Sequence, residues 1–246
     1  MRRESKRQSR LARKATTAAG AALGATALFA PGAEAATFEV NSLADPGDGT
    51  CDATECTLRE AVEDANAAAG ADTVIFRSGL SGTINLTADD IEIYGDPLAI
   101  QGPGAGVITV DGGDTTDIFD LYGLSDPAGS VSISGLTLAN GYEDVDGGAI
   151  NSYYGGTDLT LTGVVITGSY ALYDGGAVQL GDGTLTVVDS LLSDNDAGNE
   201  GGALYSDDGA LVIDRSTISG NRPSGDMPEN TRPSFSSASL YAEFTS

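Results

Sequence analysis

Asp146, Asp174 and Glu200 each stand directly before a Gly-Gly pair, at intervals of 28 and 26 residues. Carboxylates aligned by a regular repeat offer hard oxygen ligands, so this column is a candidate calcium site of the weak, extracellular kind, completed by Glu143, Asp144 or backbone carbonyls. Calcium there is the one cofactor the sequence suggests. The alternative is a solvated acidic edge. If the three residues stack on adjacent strands about 4.8 Å apart, neighbouring charges repel by about 1 kcal/mol in bulk water and about 3.5 kcal/mol at an effective dielectric near 20. Either splaying into water or a cation relieves that repulsion, and both remain open.

Tyr142 and Tyr170 share the same 28-residue offset. Two stacked phenols make a flat amphipathic surface suited to a cell-surface glycan or a protein partner; the other outcome is that they only pack on each other. Cys51 and Cys56 are the two cysteines, and the chain has no His, so a four-ligand zinc site lacks its donors.

The elements that must position these residues begin with the leader. Seven of the twelve basic residues precede residue 15, followed by an Ala/Gly-rich apolar stretch to Ala30 and the small-residue site Ala33-Glu34-Ala35. That is the pattern of a signal peptide over residues 1–35, and the apolar run is shorter than the ~20 residues a membrane span needs. Its removal leaves five Arg against 34 acidic residues, a net charge of −29. Such a chain repels nucleic acid and anionic lipid, and no second apolar run of spanning length follows. The expected location is secreted, extracellular or at the cell surface. In an oxidising compartment Cys51 and Cys56 can pair across their short loop; free thiols are the alternative.

The second half of the chain repeats. Val131, Leu159, Leu185 and Leu211 open equivalent segments at intervals of 28, 26 and 26 residues, and a Gly-Gly-Ala-aliphatic motif follows three of these starts by 16 residues, at Gly147, Gly175 and Gly201. The return interval is 12, 10 and 10, which puts the two extra residues in the loop around Tyr153 to Thr157. First, third and eighth positions are apolar, the alternation of a strand with one buried face. The fifth position (Gly135, Gly163, Asp189, Arg215) turns the chain into another short strand. Units of three short strands cannot bury their faces alone, so they stack into a solenoid. The expected fold is all-β: a right-handed parallel β-helix of about six coils over residues 73–221. Less regular early coils are expected at Thr73–Phe76, Gly82–Thr87, Leu98–Gly102, Val107–Val110 and Ile118–Leu121.

Residues 36–72 hold an N-terminal motif and a cap. Thr57-Leu-Arg-Glu60 is a capping box that opens an Ala-rich helix reaching about Ala68, with Leu58, Ala61, Val62 and Ala65 on the face that plugs the first coil. After Asn221 the repeat fails: residue 227 should begin another Gly-Gly-Ala but is Met, and residues 222–246 contain three Pro and many Ser. A disordered or truncated tail is expected there.

Cys51-Asp-Ala-Thr-Glu-Cys-Thr-Leu-Arg-Glu-Ala61, preceded by Phe38-Glu-Val-Asn-Ser and Asp45-Pro-Gly-Asp-Gly, resembles the opening motif of secreted bacterial proteins named for a Cys-Ser-Leu-Arg-Glu-Ala sequence, with Thr57 in place of Ser. The Gly-Gly-Ala-aliphatic repeats are similar to those of polymorphic outer-membrane proteins and other pectate-lyase-like β-helices. The resemblance covers residues 37 to 221 and implies an exported, surface-exposed β-helix without fixing one activity. A non-catalytic binding, adhesion or structural module is the expected function. The alternative is a polysaccharide lyase or hydrolase. A hydrolase of the polygalacturonase type should carry a Gly-His-Gly and an Arg-Ile-Lys segment, whereas this chain lacks His and, beyond the leader, Lys. A lyase needs a basic residue beside bound calcium; of the five Arg only Arg215 lies in a regular coil, and it stands one repeat after Asp189, where an ion pair explains it.

Overall fold

A computed structural model describes residues 34–124, 129–154, 156–206, 209–223 and 239–241. Residues 1–33, which contain nearly all of the expected leader, lie outside it, as do residue 155 of the insertion loop and residues 224–238 and 242–246 of the tail.

Alternating apolar residues make every coil a set of short strands, and every strand pairs in parallel with its equivalent one coil away. The first sheet stacks eight strands: Thr37–Val40, Asp72–Phe76, Leu98–Gln101, Ser130–Ser134, Asp158–Thr162, Thr184–Val188, Ala210–Asp214 and Ser239–Tyr241. The second runs from Gly82–Asn85 to Thr217–Ser219 and the third from Ile91–Gly95 to Leu204–Ser206. The chain is therefore a parallel β-helix of about five turns, with a further turn begun. Inward positions line up as columns. Val131, Leu159, Leu185 and Leu211 share one register, Ile133, Leu161, Val187 and Ile213 another, and most are fully buried.

The corner between the first and second sheets is one residue in the left-handed region on every regular coil: Gly135 (φ 58°), Gly163 (59°), Asp189 (49°) and Arg215 (46°). A single left-handed residue bends the chain from one sheet into the next in minimal length, which is why the fifth position of the repeat favours Gly. The next corner does the same with Asn140, Gly168, Asp194 and Gly220. Beneath it runs a side-chain ladder. Asn221 Oδ1 accepts from the Asn195 backbone N–H at 2.9 Å, Asn195 Oδ1 accepts from the Ser169 N–H at 3.0 Å, and Ser169 Oγ accepts from the Gly141 N–H at 3.2 Å. Buried corner amides that no strand can pair are satisfied this way.

The three-strand unit read from the repeat needs a correction in the regular coils. A fourth sheet of two-residue strands, Tyr142–Glu143, Tyr170–Ala171, Asp196–Ala197 and Arg222–Pro223, intervenes before the Gly-Gly turn. Two residues are too short for an alternation signal, so pairing with the neighbouring coil alone defines them.

The helix spans Leu58–Ala67, with Thr57 as N-cap and the capping box formed in both directions. Leu58, Ala61, Val62 and Ala65 are buried, and the helix packs against Thr37–Val40, Asp72–Phe76 and Ile91–Gly95, the strands that begin the solenoid. Cys51 and Cys56 form a disulfide. In the tail, Ser239–Tyr241 departs from the expectation of a segment without regular structure: Ser239, Leu240 and Tyr241 pair with Ala210, Leu211 and Val212. The 29-residue step from Leu211 to Leu240 is longer than the 26- and 28-residue steps before it, and the Gly-Gly motif that should precede it is missing.

Candidate binding surface

The acidic column sits where the chain leaves the fourth sheet and turns on Gly-Gly into the third. The first glycine of each pair is left-handed (Gly147 φ 73°, Gly175 68°, Gly201 59°). The second is a matter of space: a Cβ on Gly148 would lie 2.4 Å from the Gly176 carbonyl oxygen, and one on Gly176 2.3 Å from that of Gly202. This packing brings each acid over its equivalent on the next coil. Asp146 Oδ1 accepts from the Asp174 backbone N–H at 3.0 Å, and Asp174 Oδ1 accepts from the Glu200 N–H at 2.8 Å and from Asn199 Nδ2 at 2.9 Å. The sequence offered splaying or a cation; the geometry adds a third use, in which Asp146 and Asp174 each cap the turn that follows on the next coil. Asp146 is buried. Its burial pushes the carboxyl above its ordinary range; the Asp174 N–H opposes that and the Asp174 charge adds to it.

Among the described residues, acidic oxygens gathered within 4.8 Å of one another belong to Asp48, Glu55 and Glu60 rather than to this column. Glu60 is already committed. Its Oε1 accepts from the N–H groups of Gly49 (2.6 Å) and Thr50 (3.1 Å), and its Oε2 from the Thr57 N–H (2.8 Å) and hydroxyl (3.0 Å). Burial raises its pKa, but these donors outweigh burial and hold it below the usual carboxylate range. Sequence reasoning assigned Glu60 one bond of a capping box; it also organises the Asp48–Thr50 loop. Nearby, Arg59 pairs with Asp45 at 2.7 Å and donates to the carbonyls of Asp89 and Asp90, tying the Asp45-Pro-Gly loop to the first coil.

Tyr142 and Tyr170 pair in register, and their rings stack with centroids 5.7 Å apart and planes 17° from parallel. The ring faces that meet are used up by that stack, and both residues remain partly exposed. A second pair, Tyr94 and Tyr122, stacks at 5.4 Å on the third sheet, with the Tyr122 hydroxyl donating to Glu92 at 2.7 Å. Burial, reinforced by that carboxylate, raises the Tyr122 pKa. Sequence reading did not find this pair; its 28-residue offset is the signal it left unused.

What the sequence reading missed lies on the same turns as Tyr142 and Tyr170. Four large apolar side chains are exposed among the described residues, and three of them are Val145 (42 %), Leu172 (42 %) and Tyr173 (52 %). The Tyr173 N–H donates to the Val145 carbonyl at 2.9 Å and the Asn199 N–H to the Tyr173 carbonyl at 2.7 Å, so Val145, Tyr173 and Asn199 form one column. Gly198 follows Leu172 by one repeat, and a Cβ there would lie 2.0 Å from the Leu172 carbonyl oxygen and 3.5 Å from the Tyr170 hydroxyl. Only a glycine fits this close against the Leu172 backbone. Three apolar residues in an otherwise acidic turn were the available signal.

Arg215 donates from Nε and Nη2 to the two oxygens of Asp189 at 2.7 and 2.9 Å, the ion pair expected from their 26-residue spacing. The residues thus define a parallel β-helix with an aromatic and apolar strip along one stack of turns. Comparison with family models, curated proteins and solved structures returned no match to this chain.

Proposed function

We propose that this chain is an exported, cell-surface β-helix that binds a surface partner without catalysing a reaction. The observation that carries the reading is the cluster of Val145, Leu172 and Tyr173 beside the Tyr142–Tyr170 stack. Exposed apolar groups gathered on consecutive coils of a highly charged protein mark a contact surface. The signal-peptide pattern of residues 1–35 and the resemblance of the Cys51 to Ala61 motif to secreted bacterial β-helix proteins support export. A repeating scaffold suits this role, because its surface columns can be varied without disturbing the core.

A lyase or hydrolase would need a basic or acid–base group poised over a groove. Arg59, Arg77 and Arg215 are engaged with carboxylates, which speaks against their serving as the free base of a lyase. The test uses the secreted chain and purified bacterial cell envelopes. Wild type should co-sediment with the envelopes, Leu172→Ser/Tyr173→Ala should remain in the supernatant, and no reducing sugar or unsaturated uronide should be released from pectin, xylan or glucan. Product release would overturn the non-catalytic reading, and equal sedimentation of the two proteins would remove the strip as the binding surface.

A further inference from the structure

We infer that the strip formed by Tyr142, Val145, Tyr170, Leu172 and Tyr173 takes a linear neutral polysaccharide lying along the solenoid axis, an inference that rests on the binding role proposed above. The first argument is periodicity. Equivalent residues on adjacent coils are about 4.8 Å apart, close to the length of one pyranose unit in an extended glycan, so a linear chain can present one sugar to each coil. An extended peptide alternates its side chains over a longer two-residue repeat and loses register with the coils.

The second argument is chemistry. Tyr173 is half exposed and Leu172 nearly so, and such surfaces accept the C–H faces of sugar rings. Sugar hydroxyls need hydrogen-bond acceptors, and the strip is bordered by the exposed Asp144 and by Asp196 in the column of Tyr142 and Tyr170. These same carboxylates oppose an anionic glycan. The third argument is extent. At the third rung Gly198 lies directly against the Leu172 backbone, where a Cβ would come within 2.0 Å of the carbonyl oxygen, so the apolar strip belongs to two coils, the one that carries Tyr142 and Val145 and the one that carries Tyr170, Leu172 and Tyr173.

Native affinity electrophoresis in gels containing glucomannan, mixed-linkage β-glucan or arabinoxylan tests this, with polygalacturonate as the anionic control. At least one neutral polymer should retard the protein and polygalacturonate should not. Oligosaccharides of the retarding polymer should bind about tenfold more tightly as trimers than as single sugars, because adjacent coils are engaged together. Tyr173→Ala should weaken binding about fivefold or more, and Val107→Ala, exposed elsewhere, should leave it unchanged. Unaltered melting temperatures for both variants would establish that they fold. The inference is overturned if no neutral polymer retards the chain, if polygalacturonate retards it as strongly, or if Tyr173→Ala binds like wild type. Envelope co-sedimentation that depends on Leu172 and Tyr173 without neutral-glycan binding would leave the binding role standing and point to a protein partner; loss of both would remove the role itself.

Discussion

Two buried acids in this protein behave in opposite ways because their donors differ in number. Glu60 receives three backbone N–H groups and a hydroxyl, and its pKa is lowered. A carboxyl with a lowered folded pKa stabilises the protein above its unfolded pKa, and that contribution is lost as pH falls through the folded value. Glu60→Gln should therefore lower the melting temperature at pH 7 and differ less from wild type near pH 2, as scanning calorimetry across pH would show. Asp146 receives one backbone N–H in a buried position and its pKa is raised. Its folded state favours the protonated form, so stability is lost as pH rises from the ordinary Asp value through the raised one. Asp146→Asn keeps an acceptor oxygen for the Asp174 N–H while removing the charge. At pH 7 the variant should melt higher than wild type, with the difference shrinking toward pH 3; a lower melting temperature at pH 7 would show that the charged acceptor outweighs its burial.

At the scale of elements, corners govern the solenoid. Gly168 is left-handed (φ 69°), and a Cβ on it would lie 2.9 Å from the Asn140 Oδ1 of the coil before. Gly168→Ala should cost about 1–2 kcal/mol from backbone conformation alone, read as a shift of the urea midpoint at constant slope. Gly163→Ala occupies the corner before it, also left-handed, but with nothing within 4 Å of the added Cβ. The difference between the two variants isolates the contact with Asn140. At the N-terminal end, Leu58 is fully buried where the helix meets the first strands. Leu58→Asp should destabilise the fold by about 3–5 kcal/mol, because an unpaired charge replaces an apolar plug.

Across the whole molecule, charge is the dominant variable. With five Arg against 34 acids beyond residue 35, self-repulsion opposes compaction and is screened by salt. Sodium chloride should raise the melting temperature. Because Asp146 and Asp174 already bond to backbone N–H groups, millimolar calcium chloride should raise it no further than sodium chloride of equal ionic strength. A larger calcium-specific rise, lost in Asp174→Asn, would restore the cation reading of the column.

The sequence alone determined the repeat, its inward columns, the turn at the fifth position and the cap, because each is written in local composition: alternation, a recurring break in it, an N-cap hydroxyl three residues before Glu60. It also placed Tyr142 with Tyr170 and Arg215 with Asp189, since a fixed period turns sequence distance into contact. Only the tertiary structure decided how the polar groups are spent. Asp146 and Asp174 cap neighbouring turns, Glu60 gathers a loop of distant donors, and Ser239–Tyr241 joins the first sheet. Such bonds depend on the direction of a side chain and the position of a backbone amide one coil away, which a period alone does not specify. The same holds for the exposure of Val145, Leu172 and Tyr173: apolar residues read from sequence are expected inside, and the turn geometry turned these three outward.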